Sequence, residues 1–341
     1  MNALVFEGPR QMALMPRPDP IPEAGETLID VLGTGICGSD LHGYTGSTGR
    51  RFAGQIMGHE TVGRVRRHGP NTDGPSPGTL VTFNPLISCR RCEHCRIGAT
   101  NACEKHRVIG VDPALDGSFA DSIVVPVGNV VSLSDSIPPL HGTLVEPLAV
   151  GYNALDRATA TPDDRVLIVG GGPIGQACAL ATRRLGIGRV LVSEIVEDRR
   201  TLLGKLGFET TPPDLLTDRI DEVLGGPATK VIDAVGIDAS LEDAFDHSTR
   251  RSVIVLVGMG ARRLSLPAYS ISVGERTLVG SYCYTEDNFR STADWVSAGQ
   301  DALDVLIDTT VPLAEGAEAF RSLAEGTSFS NKIVLTSEQA A

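Results

Sequence analysis

The sequence lacks three features that would assign it to large functional classes. It has no apolar run near the roughly 18 residues that a membrane-spanning helix needs. Positive charge is scarce, with 30 Lys and Arg against 42 Asp and Glu and a net charge of −12, so nucleic acid and anionic membranes are not expected partners. The first residues lack the charged segment and apolar core of a signal peptide. We therefore expect a soluble protein in the reducing cytoplasm.

Length and hydrophobic patterning indicate two domains. The chain has 341 residues, of which 41% are hydrophobic, enough for two cores. Short apolar runs at 27–32, 61–65 and 122–127, broken by glycine and proline, predict an all-β unit over 1–150. Beyond it, predicted strands at 165–169, 190–192, 230–233 and 252–257 alternate with helices at 174–185 and 199–206. This alternation predicts a parallel sheet covered by helices over 151–287. The segment 288–341 holds a predicted helix at 289–297 and a closing strand at 332–335.

Four cysteines are concentrated in a lobe at about 85–105. Cys89, Cys92, Cys95 and Cys103 form a C-x2-C-x2-C-x7-C pattern whose intervening residues are polar and mostly positive. Four thiolates this close in sequence can complete a tetrahedron around one Zn²⁺ ion. A disulfide pair is the alternative, but nothing marks the chain as secreted. A site closed by four thiolates has no open coordination position, so the predicted zinc is structural.

A glycine-rich turn predicts a dinucleotide site. Gly170, Gly172 and Gly175, with Pro173 and Ile174, complete a G-x-G-x-x-G pattern that follows a strand and opens a helix. The glycines provide the turn, the close approach to a pyrophosphate and the packing of helix on strand. The N–H groups at the helix start face the phosphates. An ordinary tight strand–helix turn is the alternative.

An acidic residue follows the next predicted strand. Glu194 lies nineteen residues after Gly175, where a carboxylate accepts hydrogen bonds from the adenosine ribose and repels a 2′-phosphate. The position favours NAD over NADP, although Arg199 and Arg200 lie close enough to soften the preference. A solvated loop charge is the alternative for Glu194.

A second group of metal-ligand residues precedes the four cysteines. It comprises Cys37-Gly38-Ser39-Asp40-Leu41-His42 and Gly58-His59-Glu60. Thiolate and imidazole, with a carboxylate or water to complete the set, are the mixed ligand type of catalytic zinc. The glycines around them suit sharply turning loops. Glu146 is a further candidate ligand near the predicted domain boundary. Taken singly, Cys37 reads equally well as a small buried residue, His59 as a satisfied loop histidine and Glu146 as a charge at a helix start.

These motifs together resemble the zinc-dependent medium-chain dehydrogenases/reductases, the group of alcohol, sorbitol and threonine dehydrogenases. The matching segments are Cys37-Gly38-Ser39-Asp40-Leu41-His42, Gly58-His59-Glu60-Thr61-Val62-Gly63, the four-cysteine lobe, Asp116-Gly117-Ser118-Phe119-Ala120, Glu146-Pro147-Leu148 and the glycine fingerprint. Their order and spacing agree over essentially the whole chain. The resemblance implies an α/β fold with a GroES-like β-rich catalytic domain, a Rossmann domain and a C-terminal return to the first domain.

The resemblance also implies roles for single residues. Cys37 and His59 would bind catalytic zinc. Glu146 occupies the position of a second cysteine ligand in the alcohol dehydrogenases, and a glutamate there resembles the polyol and sorbitol branch. Glu60 matches a glutamate that either ligates the zinc or lies just behind it. Which of the two glutamates ligates stays open.

Three more positions match the active-site motif of the family. Ser39 and His42 match the proton relay, and Asp40 matches a residue that orients His59. Tyr282 matches the tyrosine of a polyol-binding arginine–tyrosine pair. Ser281 replaces the arginine, which weakens the case for sorbitol itself.

The expected reaction is the reversible NAD-dependent oxidation of a secondary alcohol to a ketone, with one catalytic and one structural zinc per chain. Expected substrates are sugar alcohols, cyclitols, aminocyclitols, or a small secondary alcohol such as threonine or butanediol. Zinc-free quinone and enoyl reductases lack the ligands found here. A zinc-ribbon protein that binds nucleic acid fits neither the negative charge nor the fingerprint. The resemblance suggests a homotetramer, with a dimer as the alternative.

Overall fold

The computed structural model of the chain describes residues 1–47, 49–326 and 331–337. The strands are β1 (Asn2–Gly8), β2 (Gln11–Pro16), β3 (Glu26–Gly35), β4 (Glu60–His68), β5 (Leu80–Phe83), β6 (Leu86–Ile87), β7 (Arg107–Val108), β8 (Ser122–Pro126), β9 (Val130–Ser132), β10 (Arg165–Val169), β11 (Arg189–Ser193), β12 (Glu209–Thr211), β13 (Ala228–Asp233), β14 (Ser248–Leu256), β15 (Thr277–Gly280), β16 (Thr309–Pro312) and β17 (Ile333–Thr336). The α-helices are α1 (Gly38–Tyr44), α2 (Glu93–Arg96), α3 (Val145–Arg157), α4 (Pro173–Arg184), α5 (Glu197–Lys205), α6 (Leu216–Leu224), α7 (Asp238–Asp246), α8 (Ala268–Gly274), α9 (Glu286–Ser297) and α10 (Gly316–Glu325). Within these ranges, no helix combines the length and apolarity needed to cross a bilayer.

Contacts along the chain define two compact units. The first unit comprises Met1–Glu146 and Thr285–Ala341, and the second comprises Pro147–Tyr284. The C-terminal segment thus belongs to the same unit as the N-terminal one. The boundaries at 150 and 287 stay predictions of the domain limits.

A six-stranded parallel sheet forms the second unit. Its order is β12-β11-β10-β13-β14-β15, and every neighbouring pair is parallel. If β10 to β15 are counted as strands 1 to 6, this is the 3-2-1-4-5-6 order of a Rossmann fold. Both faces are buried, since Leu167 and Ile168 on β10 pack into different hydrophobic clusters. The predicted parallel sheet and its α/β class are confirmed.

A mostly antiparallel sheet organises the first unit. Its order is β16-β17-β3-β4-β5-β9, and β8 also pairs with β3. The late strand β17 lies antiparallel to β3 and confirms the predicted closing strand, although it begins at Ile333, one residue after Lys332. This pairing places the C-terminal segment beside the strand that leads to Cys37.

Aromatic packing holds α1 against the rest of the first unit. Phe320 on α10 contacts the ring of Tyr44 at 5.4 Å between centroids and that of Phe119 at 5.5 Å, edge to face. Phe119 and Phe320 are fully buried, and Tyr44 ends α1. Such aromatic contacts add to the free energy gained by burial. The helix that carries Ser39, Asp40 and His42 is therefore anchored at its C-terminal end.

The all-β expectation for residues 1–150 was wrong at this helix, at the short helix α2 and at the start of α3. Cys37 caps α1: the Ser39 N–H lies 3.5 Å from Cys37 Sγ, and Asp40 Oδ2 accepts the Cys37 N–H at 3.3 Å. The expected sharply turning loop after Cys37 is thus a short helix. The helix was not predicted for two reasons. Its cap is a cysteine, whereas Ser, Thr, Asp and Asn are the favoured caps. Two of its seven residues are glycines, which disfavour helices.

Candidate metal and cofactor sites

Cys37, His59 and Glu60 form one cluster in the first unit. One ligand atom from each lies within 4.8 Å of the ligand atoms of the other two. The register of the sheet explains why, because Gly35 at the end of β3 pairs with Glu60 at the start of β4. Cys37 follows one strand and His59 precedes the other, so the antiparallel pairing brings both to the same edge of the sheet.

The turn before His59 depends on a glycine. Gly58 has φ +100°, in the region that side chains other than glycine rarely adopt. A Cβ there would lie 2.9 Å from the backbone nitrogen of Phe119, so the close approach also excludes a side chain. The backbone conformation at Gly58 directs the His59 imidazole into the cluster. Any other residue at position 58 would strain the backbone and contact Phe119.

A buried carboxylate lies behind His59. Asp40 Oδ1 is 3.5 Å from His59 Nδ1 and 3.4 Å from an Arg51 guanidinium nitrogen, and all three side chains are buried. Burial alone raises the pKa of Asp40, but the charges of His59 and Arg51 outweigh it and hold that pKa below its ordinary value. Burial lowers the pKa of His59, but the charges of Asp40 and Cys37 outweigh it and raise that pKa well above 6.5. Nδ1 faces Asp40, which leaves Nε2 as the ring nitrogen available to a metal.

Glu60 is engaged by a cation from the far end of the sequence. Its two carboxylate oxygens lie 2.8 and 2.6 Å from Lys332 Nζ. Burial lowers the pKa of Lys332, but Glu60 above all, with Cys37 and Glu146, raises it above its ordinary value. The contact with Glu60 therefore favours the charged form of the ammonium group.

Glu146 is buried in the first turn of α3. Its carboxylate stands outside the group of ligand atoms within 4.8 Å of one another, yet close enough to act on the charge of Lys332. The structure thus brings Cys37, His59 and Glu60 together most tightly, with Glu146 in the same neighbourhood.

The predicted relay residues lie on α1 at different depths. Ser39 is half-buried beside Cys37, while the His42 side chain is exposed. A proton path from the cluster to solvent requires this order of burial.

The four cysteines of the lobe form the second cluster. Their sulfur atoms lie within 4.8 Å of one another, with Cys92–Cys95 at 3.4 Å and Cys89–Cys95 at 4.0 Å. Zinc–sulfur bonds of about 2.3 Å in a tetrahedron give sulfur–sulfur distances of about 3.8 Å. N–H groups of Arg91 and Cys92 lower the pKa of the Cys89 thiol to about 6, which favours a thiolate at that residue. At Cys92 the Cys95 N–H lowers the pKa, but burial and hydrogen bonds with the neighbouring thiols outweigh it and raise that pKa to about 11. All seven cysteines of the chain are unbridged, so the disulfide alternative is not realised.

The lobe is fastened to neighbouring segments of the first unit. The Glu286 N–H at the start of α9 donates to Thr100 Oγ1 at 2.8 Å, and Arg90 lies 3.4 Å from the Glu286 carboxylate. Arg90 also donates to the Gly128 carbonyl at 3.0 Å. The lobe is therefore a structural element attached at both of its ends.

The glycine fingerprint lies where β10 passes into α4 in the second unit. Gly172 caps the helix and Pro173 is its first residue, followed by Ile174. A Cβ at Gly175 would overlap the Gly170 carbonyl oxygen, so only glycine permits this approach of helix to strand. The free N–H groups of the helix start are thus presented beside the turn, as an anionic ligand requires.

Glu194 is tied to this turn by backbone hydrogen bonds. Its carboxylate accepts the Gly171 N–H at 2.6 Å and the Val196 N–H at 2.7 Å, and the residue is only 4% exposed. Arg199, whose side chain is 43% exposed, lies 3.8 Å from the same carboxylate and also close to Gly172. An acid and a cation thus stand together beside the fingerprint.

Two other positions complete the comparison with the sequence predictions. Tyr282 follows β15 and is partly exposed, and the hydroxyl of Ser281 accepts a hydrogen bond from Asn153 at 3.0 Å. Sequence reasoning missed Arg51 and Lys332. The only sequence feature that could have drawn attention to Lys332 is its position, a charged residue directly before an apolar strand.

Comparison with known proteins agrees with this geometry. Residues 23–135 match the alcohol dehydrogenase GroES-like domain, and residues 173–298 match the zinc-binding dehydrogenase family. The L-galactonate-5-dehydrogenase of Escherichia coli K12 is 31% identical over 324 residues, covering 94% of each chain. The chain belongs to the zinc-binding dehydrogenase family. The predicted resemblance and two-domain fold class are therefore confirmed, and this zinc-binding dehydrogenase is an oxidoreductase.

Two further relatives extend the comparison. D-xylulose reductase A of Aspergillus oryzae is 29% identical to this zinc-binding dehydrogenase over 336 residues, covering 95% of this chain and 94% of that one. The NADH complex of an Escherichia coli CFT073 protein described as a short chain alcohol dehydrogenase has a TM-score of 0.89 and 26% identity, with 98% of this chain and 99% of that one covered. The likeness thus spans both units.

Proposed function

We propose that this zinc-binding dehydrogenase interconverts a secondary alcohol and a ketone on a polyhydroxylated substrate, a sugar alcohol or sugar acid, with NAD as the hydride carrier. The observation that carries the proposal is the buried cluster of Cys37, His59 and Glu60, in a chain that also bears a dinucleotide fingerprint. The names of two relatives, an L-galactonate dehydrogenase and a D-xylulose reductase, support the substrate class.

The donor atoms fit two zinc ions of different kinds. The four cysteines of the lobe fit a closed structural site, and their sulfur distances bracket the tetrahedral value. Cys37 and His59, completed by Glu60 or Glu146, fit a catalytic site with three protein ligands. Zinc at that site supplies Lewis-acid stabilisation of negative charge on the alcohol oxygen.

The residues around the cluster hold its ligands and move the proton. Asp40, fixed by Arg51, keeps His59 Nδ1 turned away from the ligand position. Ser39 stands beside Cys37 and accepts the hydroxyl proton, and the exposed His42 passes it to solvent. Burial of the cluster excludes bulk water from the reacting group.

The fingerprint and Glu194 hold the cofactor. Gly170, Gly172 and Gly175 shape the turn for the pyrophosphate, and Glu194 faces the adenosine ribose. NAD supplies the hydride acceptor. Arg199 beside Glu194 offers a positive charge that tempers the rejection of NADP.

Assembly is suggested by the family resemblance, and location by the composition of the chain. We propose a homotetramer, with a dimer as the alternative, and a cytoplasmic location. Sedimentation equilibrium distinguishes the two assemblies. Neither expectation enters the chemistry of the site.

Metal content and substrate turnover test the proposal together. We expect two zinc ions per chain, and NADH production from members of a panel of polyols, sugar acids, cyclitols, threonine and butanediol. One zinc per chain would leave only the lobe occupied and remove the basis of the mechanism. Two zinc ions with turnover of simple alcohols alone would retain the mechanism and reject the substrate class.

A further inference from the structure

Four hydroxyl side chains are buried around the sheet of the first unit. Thr34, Thr61 and Thr82 lie on the neighbouring strands β3, β4 and β5, Ser118 lies on the segment between β7 and β8, and each of the four is 1% exposed. Burial of a hydroxyl group costs free energy unless the group is hydrogen-bonded. The partners of these four groups therefore indicate what they contribute.

The Ser118 hydroxyl group joins β3 to β4. Ser118 Oγ lies 2.5 Å from Thr61 Oγ1 and 3.2 Å from Thr34 Oγ1. Thr34 Oγ1 also donates to the Ser118 carbonyl oxygen at 3.0 Å. Thr34 and Thr61 are paired in the register of the two strands, so a single serine contacts both members of the pair.

This pair adjoins the two segments that carry candidate metal ligands. Thr34 is three residues before Cys37, and Thr61 is two residues after His59. We call 34–37 and 58–61 the ligand segments. Ser118 therefore contacts each ligand segment at one side chain.

The backbone around Ser118 also holds the turn before His59. The N–H groups of Gly117, Ser118 and Phe119 donate to the carbonyl oxygens of Ile56, Gly58 and Met57, at 2.8, 3.1 and 2.9 Å respectively. The bond to Gly58 reaches the residue directly before His59. The position of Ser118 is thus coupled to that of His59 through both its backbone and its side chain.

The ladder between β3 and β4 is irregular at this point. A register shift lies between Val31 and Gly33, directly before Thr34. Such an irregularity interrupts the ladder locally and bends the strand. The Ser118 hydroxyl group adds a side-chain connection beside the interruption, where the backbone ladder alone fixes the strand separation least.

We propose that Ser118 is a positioning residue that fixes the separation of the two ligand segments and so sets the distance between the metal-binding atoms of Cys37 and His59. The inference rests on the catalytic zinc site proposed above. It holds whichever glutamate completes the ligand set.

Removal of the hydroxyl group should weaken the metal site without removing a ligand. In S118A, Thr61 Oγ1 loses its side-chain partner, whereas Thr34 keeps the carbonyl oxygen of residue 118. We expect Co²⁺ at the Cys37–His59 site to bind about tenfold more weakly, the scale on which outer partners of ligands act. We also expect kcat to fall while KM for NAD stays unchanged, since the glycine fingerprint lies in the second unit.

Thr82 provides the matched control. It is as buried as Ser118, but its hydroxyl group donates to the Thr61 backbone carbonyl at 2.7 Å. T82V also removes one buried hydrogen-bonded hydroxyl group, so its loss of stability should be similar to that of S118A. Its Co²⁺ affinity should stay within about threefold of the wild type, because the connection through Ser118 is intact.

Thr61 gives a second way to break the same connection. T61V removes the hydroxyl group that meets Ser118 and should reproduce the weaker binding of S118A. T61S keeps a hydroxyl group at this position and should retain the affinity of the wild type.

Cobalt substitution reports the geometry of the ligands directly. Co²⁺ replaces zinc in the wild type and in the four variants, and the spectrum of Co²⁺-loaded H59A is subtracted to remove the lobe. Chelator competition gives the affinity, and urea unfolding gives the stability. S118A and T61V should show shifted visible bands and weaker binding, whereas T61S and T82V should match the wild type in both.

The outcomes separate the inference from the function it rests on. Equal Co²⁺ affinity and spectra in S118A and T82V would show that Ser118 only supports the fold and would overturn the inference. Wild-type binding in T61V would overturn it as well, and the comparison of T61V with T61S decides the matter even if S118A does not fold. If the wild type itself gives no cobalt spectrum beyond that of H59A, the proposed catalytic site fails, and the inference fails with it.

Discussion

The two metal-ligand clusters of this chain are built in different ways. The lobe takes its four thiolates from one short segment, Cys89 to Cys103, three of them half-buried. The Cys37–His59–Glu60 cluster has two buried members and a half-buried Cys37, and it joins residues from the end of β3 and the start of β4. Lys332 contacts Glu60, and Arg51 contacts Asp40 behind His59, so two further segments each bring a cation to it. The lobe site depends on four ligands that lie close together in sequence. The second site depends on how the whole first unit folds.

The two constructions suit different tasks. Four identical ligands close the lobe and leave no position for chemistry. The buried cluster surrounds a mixed ligand set with charged partners, which tune the ligands without adding to their number.

Removal of the imidazole from the buried cluster should abolish turnover. In H59A we expect kcat to fall by at least about a thousandfold, since Lewis-acid stabilisation contributes several kcal/mol to the transition state. Zinc content should drop from two to one per chain by elemental analysis, while NADH binding by fluorescence titration persists. A variant with full zinc content and normal turnover would remove His59 from the site.

Removal of a lobe ligand should act on stability instead. Cys103 is fully buried, and its sulfur accepts the Cys89 N–H at 3.4 Å. We expect C103A to lose the lobe zinc and lower the free energy of unfolding by roughly 3 kcal/mol, because metal binding is coupled to folding. Turnover per folded molecule should be retained well below the melting temperature.

Cys178 provides the matched control for the lobe. Burial raises the pKa of its thiol to about 12, so it is a protonated packing residue on α4. C178A should lose stability only through the small volume removed and keep both zinc ions. Equal zinc loss in C178A and C103A would contradict the assignment of the lobe.

The same contrast explains what the sequence could predict. The lobe and the glycine fingerprint are contiguous patterns, and the strand pattern of the second unit predicted its parallel sheet. Arg51 and Lys332 were missed because their partners are fixed by tertiary structure: Lys332 meets Glu60 only because β17 returns to β3. Helix α1 was missed because a cysteine serves as its cap. Ligands that form contiguous motifs could be predicted from the sequence. The charged residues that contact them could be identified only from the folded structure.

A smaller effect is expected at the support of His59. In R51M the buried Asp40 carboxylate loses a guanidinium partner at 3.4 Å, so its lowered pKa should rise. We expect zinc at the buried cluster to bind about tenfold more weakly, as measured by chelator competition. The lowered pKa of Asp40 stabilises the folded protein at pH values above 3.8, the pKa in the unfolded chain, and this stabilisation is lost as the pH falls through the folded pKa. The stabilisation is smaller in R51M, so acid unfolding should begin at a higher pH in that variant. R50M, at the exposed neighbouring position, should change neither quantity.

An effect of similar size is expected at the cofactor site. Glu194 is not contiguous with the fingerprint and reaches it through the pairing of β10 with β11. In E194A the Gly171 and Val196 N–H groups lose their acceptor and Arg199 loses its nearest acid. A 2′-phosphate is then met by donors and a positive charge. The NAD/NADP ratio of kcat/KM should fall by at least about tenfold, the scale of one hydrogen bond to a charged group.

A neighbouring acid distinguishes this local effect from a general loss of negative charge. Glu197 lies in the exposed first turn of α5, three residues after Glu194. E197A removes the same charge without a hydrogen bond to the fingerprint, so its cofactor ratio should stay at the wild-type value. Equal shifts in the two variants would show that the preference arises from the summed negative field, and an unchanged ratio in E194A would show that Arg199 already balances the carboxylate in the wild type.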